Sequence, residues 1–430
     1  MSLIHNVPLT FLRAVLPTAL PTAAACLCLV ALGVSPLFAQ VTFNNESGSA
    51  DFNDPLAWEN DVHPGLVAGT PGDRQARIGE VGTGDDAVAF ENPSVVSLTD
   101  NSLGTVGGIR VGQSGGGDGT FNHSAGTLPT DDWSFIGVDG TDADPAIGRF
   151  NLSGTADFGS SGNTTFLIGW GGGPHPTNPN QGFVTVEDQA SLLGNAVVVG
   201  GNDDNEGTLN QTGGTVTSDN WVNIGQETGA HGEYNISGGT LNTQELSVGE
   251  SGGATGDFNI SGTGMVNVLG SGGNALRIGR SDGGTGALTI TGDQAAINTT
   301  GFAVGGNIGA PSAAEGTVTF VSSATGVTPI LASEDVTIND GSVAGFGDLF
   351  VDFVTDPLPA GDVLLIDVGG TLGGTFRNAP EGTLIPNSGG RTITYTFGDG
   401  NDIALIAIPE PATMMLMFVG LGVGLLSKRR

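Results

Sequence analysis

Oxygen-bearing side chains are concentrated in one short stretch near the end of the chain, where Asp399, Asn401 and Asp402 alternate with or follow Gly398 and Gly400. Carboxylate and carbonyl oxygens at a tight turn suit a hard cation such as Ca²⁺. Only one such stretch occurs, and Asp-Gly and Gly-Asn pairs are equally typical of a hairpin turn without a metal. The sequence therefore leaves two interpretations open: a weak calcium site at these three residues, or a plain β-hairpin with no cofactor.

The other titratable residues show no catalytic or metal-ligand spacing. Arg277 and Arg280 lie near Asp282, which predicts either an arginine–carboxylate patch or ordinary surface ion pairs. The histidines are scattered, and no nucleophile elbow, P-loop or dinucleotide fingerprint stands between a strand and a helix. Three pairs of carboxylates fall in predicted loops: Asp85–Asp86, Asp131–Asp132 and Asp203–Asp204. We therefore expect no catalytic residues and no enzyme activity.

An internal repeat organises the middle of the chain. The pattern Gly-x-apolar-Asn/Thr-x-Ser/Thr-Gly alternates with a second pattern, apolar-x-apolar-Gly, and the cleanest copies are 24 or 25 residues apart. Apolar residues alternate with polar ones inside each copy, which is the period of a β-strand. The first pattern starts at Gly119, Gly148, Gly207, Gly232 and Gly256, with weaker copies at Gly182, Gly286 and Gly316.

The repeat length predicts the architecture. A unit of this size with three short strands cannot bury its apolar side alone, but stacked units can. We therefore expect an all-β, right-handed parallel β-helix, a solenoid of about 24–30 residues per coil. A β-propeller is the alternative, which the period disfavours because a blade needs about 40 residues. The predicted segments are an N-terminal β cap with irregular first coils at 40–105, solenoid repeats at 106–340, and a small antiparallel β module at 341–408.

Stacked coils would align the fourth residue of each repeat copy. The strand period points this column outward, and strands in a sheet stack about 4.8 Å apart, so its side chains would hydrogen-bond along the solenoid. The column is either a purely structural polar ladder or a surface that contacts sugars. Its members are Asn122, Asn151, Asn210, Asn235 and Asn259, with Thr185, Thr289 and Thr319 in the weaker copies.

Tryptophans near the second pattern also allow either a structural or a sugar-binding interpretation. Trp133, Trp170 and Trp221 sit at or near its strands, where they either pack in the core or form platforms for sugar rings. His123 replaces an apolar repeat position, so we expect its ring to be partly buried.

Composition restricts the partners and the compartment. The chain has 75 glycines among 430 residues and a formal net charge of −32, so it repels nucleic acid phosphates and anionic membranes. We expect no nucleic acid partner. Residues 1–39 have the basic start and small apolar run of an export signal. The only cysteines, Cys26 and Cys28, lie inside that signal, so the mature chain cannot form disulfides; lipoprotein cleavage before Cys26 is an alternative.

The last 22 residues combine three features. Pro409, Glu410 and Pro411 precede an apolar run, and Lys428, Arg429 and Arg430 end the chain. The run is short for a transmembrane helix, and its basic end would stay in the cytoplasm. This order resembles the PEP-CTERM sorting signal of Gram-negative bacteria, and the glycine-rich coils with their closing hairpin resemble the repeats of autotransporter-like surface proteins. A plain C-terminal membrane anchor is the alternative.

The resemblance implies a route and a role. An exosortase would recognise residues 409–430 while the chain is transiently anchored in the inner membrane, and would process it near the Pro-Glu-Pro sequence. The protein would then reach the cell surface or the exopolysaccharide matrix. We expect a structural or adhesive surface protein; the alternative is a β-helix protein that binds or cleaves extracellular polysaccharide.

Overall fold

The computed structural model describes residues 41–42, 51–53, 75–80, 94–100 and 104–408, except 163, 172, 174–175, 271–274, 312, 324–325, 343–344 and 354–360. Every regular element in these ranges is a β-strand, and the strands stack as a parallel β-solenoid. Each full coil contributes to three ladders of parallel strands, here called the first, second and third ladders. None of the described residues forms a helix long and apolar enough to cross a membrane.

The first ladder contains the Gly-x-apolar-Asn/Thr pattern, and its ten strands form a separate sheet. Its inward side chains are buried and its outward ones half-buried, as alternation predicts. Neighbouring inward rings stack, as Phe121 does on Phe150 with 5.3 Å between centroids. The strands are Ser94–Leu98, Asp118–His123, Ile147–Leu152, Gln181–Val186, Glu206–Gln211, His231–Ile236, Thr255–Ile260, Thr285–Thr291, Glu315–Val321 and Phe346–Asp352.

The second ladder follows the first along each coil. Two of its strands are long and run through a corner into the third ladder, with a register irregularity at Gly194–Ala196. The second-ladder strands are Thr127–Leu128, Asp157–Gly159, the first halves of Ser191–Val199 and Thr215–Ile224, Thr240–Thr243, Met265–Val268, Ala296–Thr299, Ile330–Ala332 and Val363–Val368.

The third ladder completes the coil and is buried on both faces. Its outward residues Phe135, Leu167 and Val198 form an apolar cluster with Val138, outside the main core. The strands are Val41–Thr42, Gln75–Glu80, Gly108–Gln113, Ser134–Val138, Thr165–Trp170, the second halves of Ser191–Val199 and Thr215–Ile224, Glu245–Val248, Leu276–Ile278, Phe302–Val304, Val336–Ile338 and Leu372–Gly373.

The glycines of the two sequence patterns meet at one corner, between the third and first ladders. Gly249 has φ +65°, and a Cβ there would lie 2.1 Å from the carbonyl oxygen of Thr285. A Cβ on Gly256 would lie 2.1 Å from the carbonyl oxygen of Ile224 and 2.5 Å from the amide nitrogen of Gly249. The corner therefore needs glycine in both patterns, because successive coils touch through their backbones there.

Parallel pairing continues past residue 341, into the region where the sequence predicts an antiparallel module. Phe346–Asp352 pairs in parallel with Glu315–Val321, and Val363–Val368 with Ile330–Ala332. Antiparallel pairing follows in the hairpin of Arg391–Phe397 and Asp402–Ala407, whose second strand also pairs with Val363–Val368. A further antiparallel pair, Gly306–Asn307 with Ala310–Pro311, leaves the coil at a turn.

Candidate functional site

The structure places the predicted asparagine column on the first ladder, in register from coil to coil. The Asn151 amide donates to Asn122 Oδ1 at 2.8 Å, and the Thr185 hydroxyl donates to Asn151 Oδ1 at 3.0 Å. The same pattern recurs where Asn235 donates to Asn210 and Asn259 donates to Asn235, both at 2.9 Å. The column therefore hydrogen-bonds to itself along the solenoid.

Side chains beside the first-ladder column also pair across coils. Arg149 forms an ion pair with Asp118, and Gln181 donates to Glu206 at 2.9 Å. Asn235 donates to Glu233 as well as to its neighbour in the column. Much of the polar capacity of this face is thus used between neighbouring side chains, and less of it remains for a ligand.

A second asparagine column runs along the second ladder, and the sequence interpretation missed it. Asn267 donates to Asn242 Oδ1 at 3.0 Å, and Asn298 donates to Asn267 Oδ1 at 2.9 Å. Thr217 precedes Asn242 in the register, and Leu331 and Asp367 follow Asn298. A signal was present, because each asparagine follows a buried apolar residue in a short strand, but the column is interrupted by other residue types.

This second column lies in a groove, here called the second-ladder groove. One cavity of about 330 Å³ is lined by Asn242, Asn267 and Leu269, among others. The adjoining cavity, about 460 Å³, is lined by Leu269, Asn298 and Leu331, among others. Leu269 belongs to both cavities and is 63% exposed. The two cavities thus form one shallow channel across successive coils.

The charge of the groove is negative. Asp219 lines one cavity and Asp367 lines the other, and both carboxylates are exposed. No Arg, Lys or His is among the described residues that line either cavity. Five coil steps separate the strands of the two aspartates, which is roughly 24 Å at the spacing of strands in a sheet. They are therefore too far apart to act together as the carboxylate pair of a glycosidase.

The arginines singled out in the sequence belong to a largely buried cluster on the third ladder. Arg277 pairs with Glu245 at 2.5 Å, and Arg280 bridges Glu245 and Glu250 at 2.9 and 2.7 Å. Asn223 donates to the other oxygen of Glu250 at 2.5 Å. Burial raises the pKa of Glu250 and lowers the pKa of Arg277. These ion pairs join residues that are 30 or more positions apart in the sequence and lie on neighbouring coils. The cluster therefore has a structural explanation.

The candidate calcium residues contact backbone. The Asn401 amide donates to the carbonyls of Val368 at 2.9 Å and Gly370 at 2.6 Å, and Asp402 accepts from the Val368 amide at 2.9 Å. Asp399 is exposed in the turn. In the part of the chain that the structure describes, no three His, Cys, Asp or Glu residues are grouped to hold a metal. Asn401 and Asp402 therefore fasten the closing hairpin to the last second-ladder strand.

The three tryptophans lie around the outer apolar cluster of the third ladder. Trp170 and Trp221 are half-buried and pack against that cluster. A Cβ on Gly201 would lie 2.0 Å from the Trp170 ring, so the ring lies directly on the next coil. Trp133 is 45% exposed and tilts against Phe135, with 6.2 Å between centroids. Two of the three rings therefore pack on the coils, and Trp133 keeps an open surface.

The sorting motif lies outside the described residues. This applies to Pro409, Glu410, Pro411, Lys428, Arg429 and Arg430, and equally to the predicted export signal at 1–39. Both assignments stay predictions from the sequence. No family model, curated protein or solved structure matches this chain.

Proposed function

We propose that this chain is an exported, non-enzymatic protein that exosortase processes and that serves a structural or adhesive role at the cell surface or in the exopolysaccharide matrix. The sorting part of the proposal rests on the sequence of residues 409–430. The structural part rests on one observation: at each end of the first ladder, residues outside it hydrogen-bond to backbone groups of the terminal strand.

The contacts at the two ends differ in kind. At the start, the backbone amide of Phe52 donates to the Ser97 carbonyl at 2.8 Å, and its buried ring lies 5.2 Å from that of Phe121. At the other end, the side chain of Asn378 accepts from the Leu349 amide at 2.9 Å and donates to the Leu349 carbonyl at 2.8 Å. A protected edge keeps a sheet from pairing with other chains, which suits a surface scaffold that has no disulfides.

Replacing Pro409, Glu410 and Pro411 by alanines, with the apolar run kept, separates the two interpretations of the tail. Exosortase processing predicts that this variant accumulates uncleaved in the inner membrane, while the parent reaches the surface in a shorter form. A plain anchor predicts the same mass and location for both. The measurements are cell fractionation and the intact mass of the purified chain, and deletion of residues 409–430 serves as the control for loss of any anchor.

Polysaccharide binding is the second candidate function, and the second-ladder groove favours it. A shallow channel with amides on its floor and Leu269 on its wall has the polar and apolar mixture of a sugar-binding surface. Cleavage is less well supported, because Asp219 and Asp367 are far apart. Incubating the full-length protein with polysaccharides and measuring both retention and chain length tests the candidate; retention without shortening is the expected result.

A further inference from the structure

The amides of the second-ladder groove keep hydrogen-bonding capacity that the fold does not use. Within the column, Asn267 uses one N–H toward Asn242 and one lone pair toward Asn298. A primary amide has two N–H groups and two lone pairs, so a donor and an acceptor remain on each side chain. Two nearby hydroxyls, by contrast, donate to backbone carbonyls: Thr243 to Glu245 and Thr299 to Gly301. The amides are therefore the main polar contacts offered to a ligand.

These contacts recur at the spacing of the coils, about 4.8 Å. A ligand that uses several of them must itself repeat at a similar distance along a line. A linear polysaccharide does so, with hydroxyl groups on each ring and C–H faces between them. Leu269 and Leu331 are 63% and 40% exposed, and both provide apolar contacts along the groove wall for such C–H faces.

An extended peptide fits this surface less well. A peptide that joins a sheet does so through free backbone N–H and C=O groups at the sheet edge. The strands Thr240–Thr243, Met265–Val268 and Ala296–Thr299 are each paired in parallel on both sides. Their backbone groups are consumed within the ladder, so only side chains face the groove.

The charge of the groove selects among polysaccharides. Asp219 and Asp367 lie towards its two ends, and no described lining residue carries a positive charge. The chain as a whole has a formal net charge of −32, which adds long-range repulsion of anions. Uronate and sulfated chains would therefore be repelled, whereas amino groups would be attracted to the two carboxylates.

We propose that the second-ladder groove binds linear polysaccharides that carry no carboxylate or sulfate, and that it binds amino-bearing chains most tightly. This proposal rests on the polysaccharide-binding candidate above and names its site and ligand class. It is independent of the sorting route, so the Pro-Glu-Pro experiment and the binding experiment can fail separately.

The test uses the full-length protein and three soluble probes: a neutral β-glucan oligomer, a glucosamine oligomer and a polygalacturonate oligomer. Titration calorimetry at low and at physiological salt measures each dissociation constant. We expect binding of the glucosamine oligomer, weakened by salt, weaker binding of the neutral oligomer with little salt dependence, and no binding of the uronate. Binding of the uronate alone, or of an unrelated extended peptide in place of the sugars, would overturn the proposal.

Two matched variants locate the site. Asn267→Leu removes an amide from the groove, and leucine already occupies this column at Leu331. Asn235→Leu removes the corresponding amide from the first ladder, where Asn235 also donates to one asparagine and accepts from the next. We expect Asn267→Leu to weaken sugar binding by about 3- to 10-fold, the effect of losing a hydrogen bond, and Asn235→Leu to leave it unchanged.

Substitution of Leu269 provides an additional test that leaves the hydrophobic core unchanged. Its side chain is largely exposed, so Leu269→Lys should fold normally while adding a positive charge between the two cavities. We expect this variant to bind the glucosamine oligomer less tightly and to gain measurable binding of the uronate. Equal sugar affinities in the parent, Asn267→Leu and Leu269→Lys proteins would show that the groove is not the site.

Discussion

The first and second ladders each display an outward column of hydrogen-bonded asparagines, yet their surroundings differ. On the first ladder, Arg149 pairs with Asp118 and Gln181 with Glu206 beside the column. On the second ladder, the column forms the floor of a groove with exposed Leu269 on its wall. An amide ladder alone therefore does not make a binding surface. A binding surface also requires that the side chains beside the ladder leave an open channel and do not pair with each other.

The interiors behind the two ladders differ as well. Behind the first ladder, the buried hydroxyl of Tyr234 donates to Gln211 Oε1 at 2.6 Å, and the Gln211 amide donates to the carbonyls of Gly214 and Thr240. His123 lies in the same inward column as Gln211 and is fully buried. Behind the second ladder, one inward column contains the apolar Leu241, Val266 and Ile297. In the adjacent inward column, Thr243 and Thr299 donate to backbone carbonyls two residues further along the chain. The first ladder therefore carries buried polar groups that need exact partners.

Substituting a glycine at the corner between the third and first ladders should have the largest effect, because the stacking of whole coils, and with it both asparagine columns, depends on that corner. A Cβ at Gly256 would lie 2.1 Å from the backbone carbonyl oxygen of Ile224, so the backbone would have to shift. We expect Gly256→Ala to lower the free energy of unfolding by about 3 kcal/mol or more, in the range of severe point mutations. At Gly373 the nearest atom to a Cβ is 3.8 Å away, so Gly373→Ala is the control in denaturant titrations.

The Tyr234–Gln211 pair tests whether the interiors differ in energy. Tyr234→Phe leaves the Gln211 oxygen buried without its donor, which we expect to cost about 1–3 kcal/mol of unfolding free energy. Replacing both partners, with Gln211→Leu and Tyr234→Phe together, should cost less than the sum of the two single changes. A double-mutant cycle from urea titrations measures this coupling. Strictly additive losses would mean that the hydrogen bond contributes nothing measurable.

The two asparagine columns should matter similarly for stability, although we propose that only one binds sugar. Asn235→Leu and Asn267→Leu each break the two side-chain hydrogen bonds along their column, on a half-buried surface, and Asn235→Leu also loses the bond to Glu233. We expect each to lower the free energy of unfolding by about 0.5–1.5 kcal/mol, with the loss for Asn235→Leu at least as large as that for Asn267→Leu. Thermal melts of both variants measure this. A much larger loss of unfolding free energy for Asn267→Leu would mean that its weaker sugar binding results from misfolding.

The first ladder could be predicted from the sequence in detail, and the groove could not. Long first-ladder strands keep a strict alternation, so Asn210, Asn235 and Asn259 reveal their column by spacing alone. Second-ladder strands are often only four residues or fewer, and their column changes from Asn298 to Leu331, so no single pattern marks it. The shape of the groove also depends on how corners of different length stack on each other. Several coils together determine this stacking, so no single repeat copy in the sequence reveals it.

Long-range ion pairs could not be predicted for a related reason. The sequence suggested Asp282 as the partner of Arg277 and Arg280 because it is close along the chain. In the structure these arginines contact Glu245 and Glu250, one coil earlier. In a solenoid, a residue's nearest neighbours in space lie one full coil away. Partners therefore follow from the register, which single-sequence spacing gives only where the coils have equal lengths.

His123 provides the finest test of the difference between the two interiors. Burial lowers its pKa below the usual value near 6.5, although backbone acceptors and the charge of Asp157 partly oppose this. A lowered folded-state pKa means that folding favours the neutral ring, so its contribution to stability is complete above about pH 6.5 and is lost as the pH falls. His123→Leu, which matches the aligned residue Leu152, removes this dependence.

We expect the parent protein to lose more unfolding free energy than His123→Leu between pH 7.5 and 5.5, as measured by urea titrations at about 0.5-unit steps. If His123→Leu instead kept the full pH dependence, the assignment to His123 would be wrong. The partly buried carboxyls of Glu250 and Asp257 cannot cause a loss in this direction, because their raised pKa values make stability increase as the pH falls.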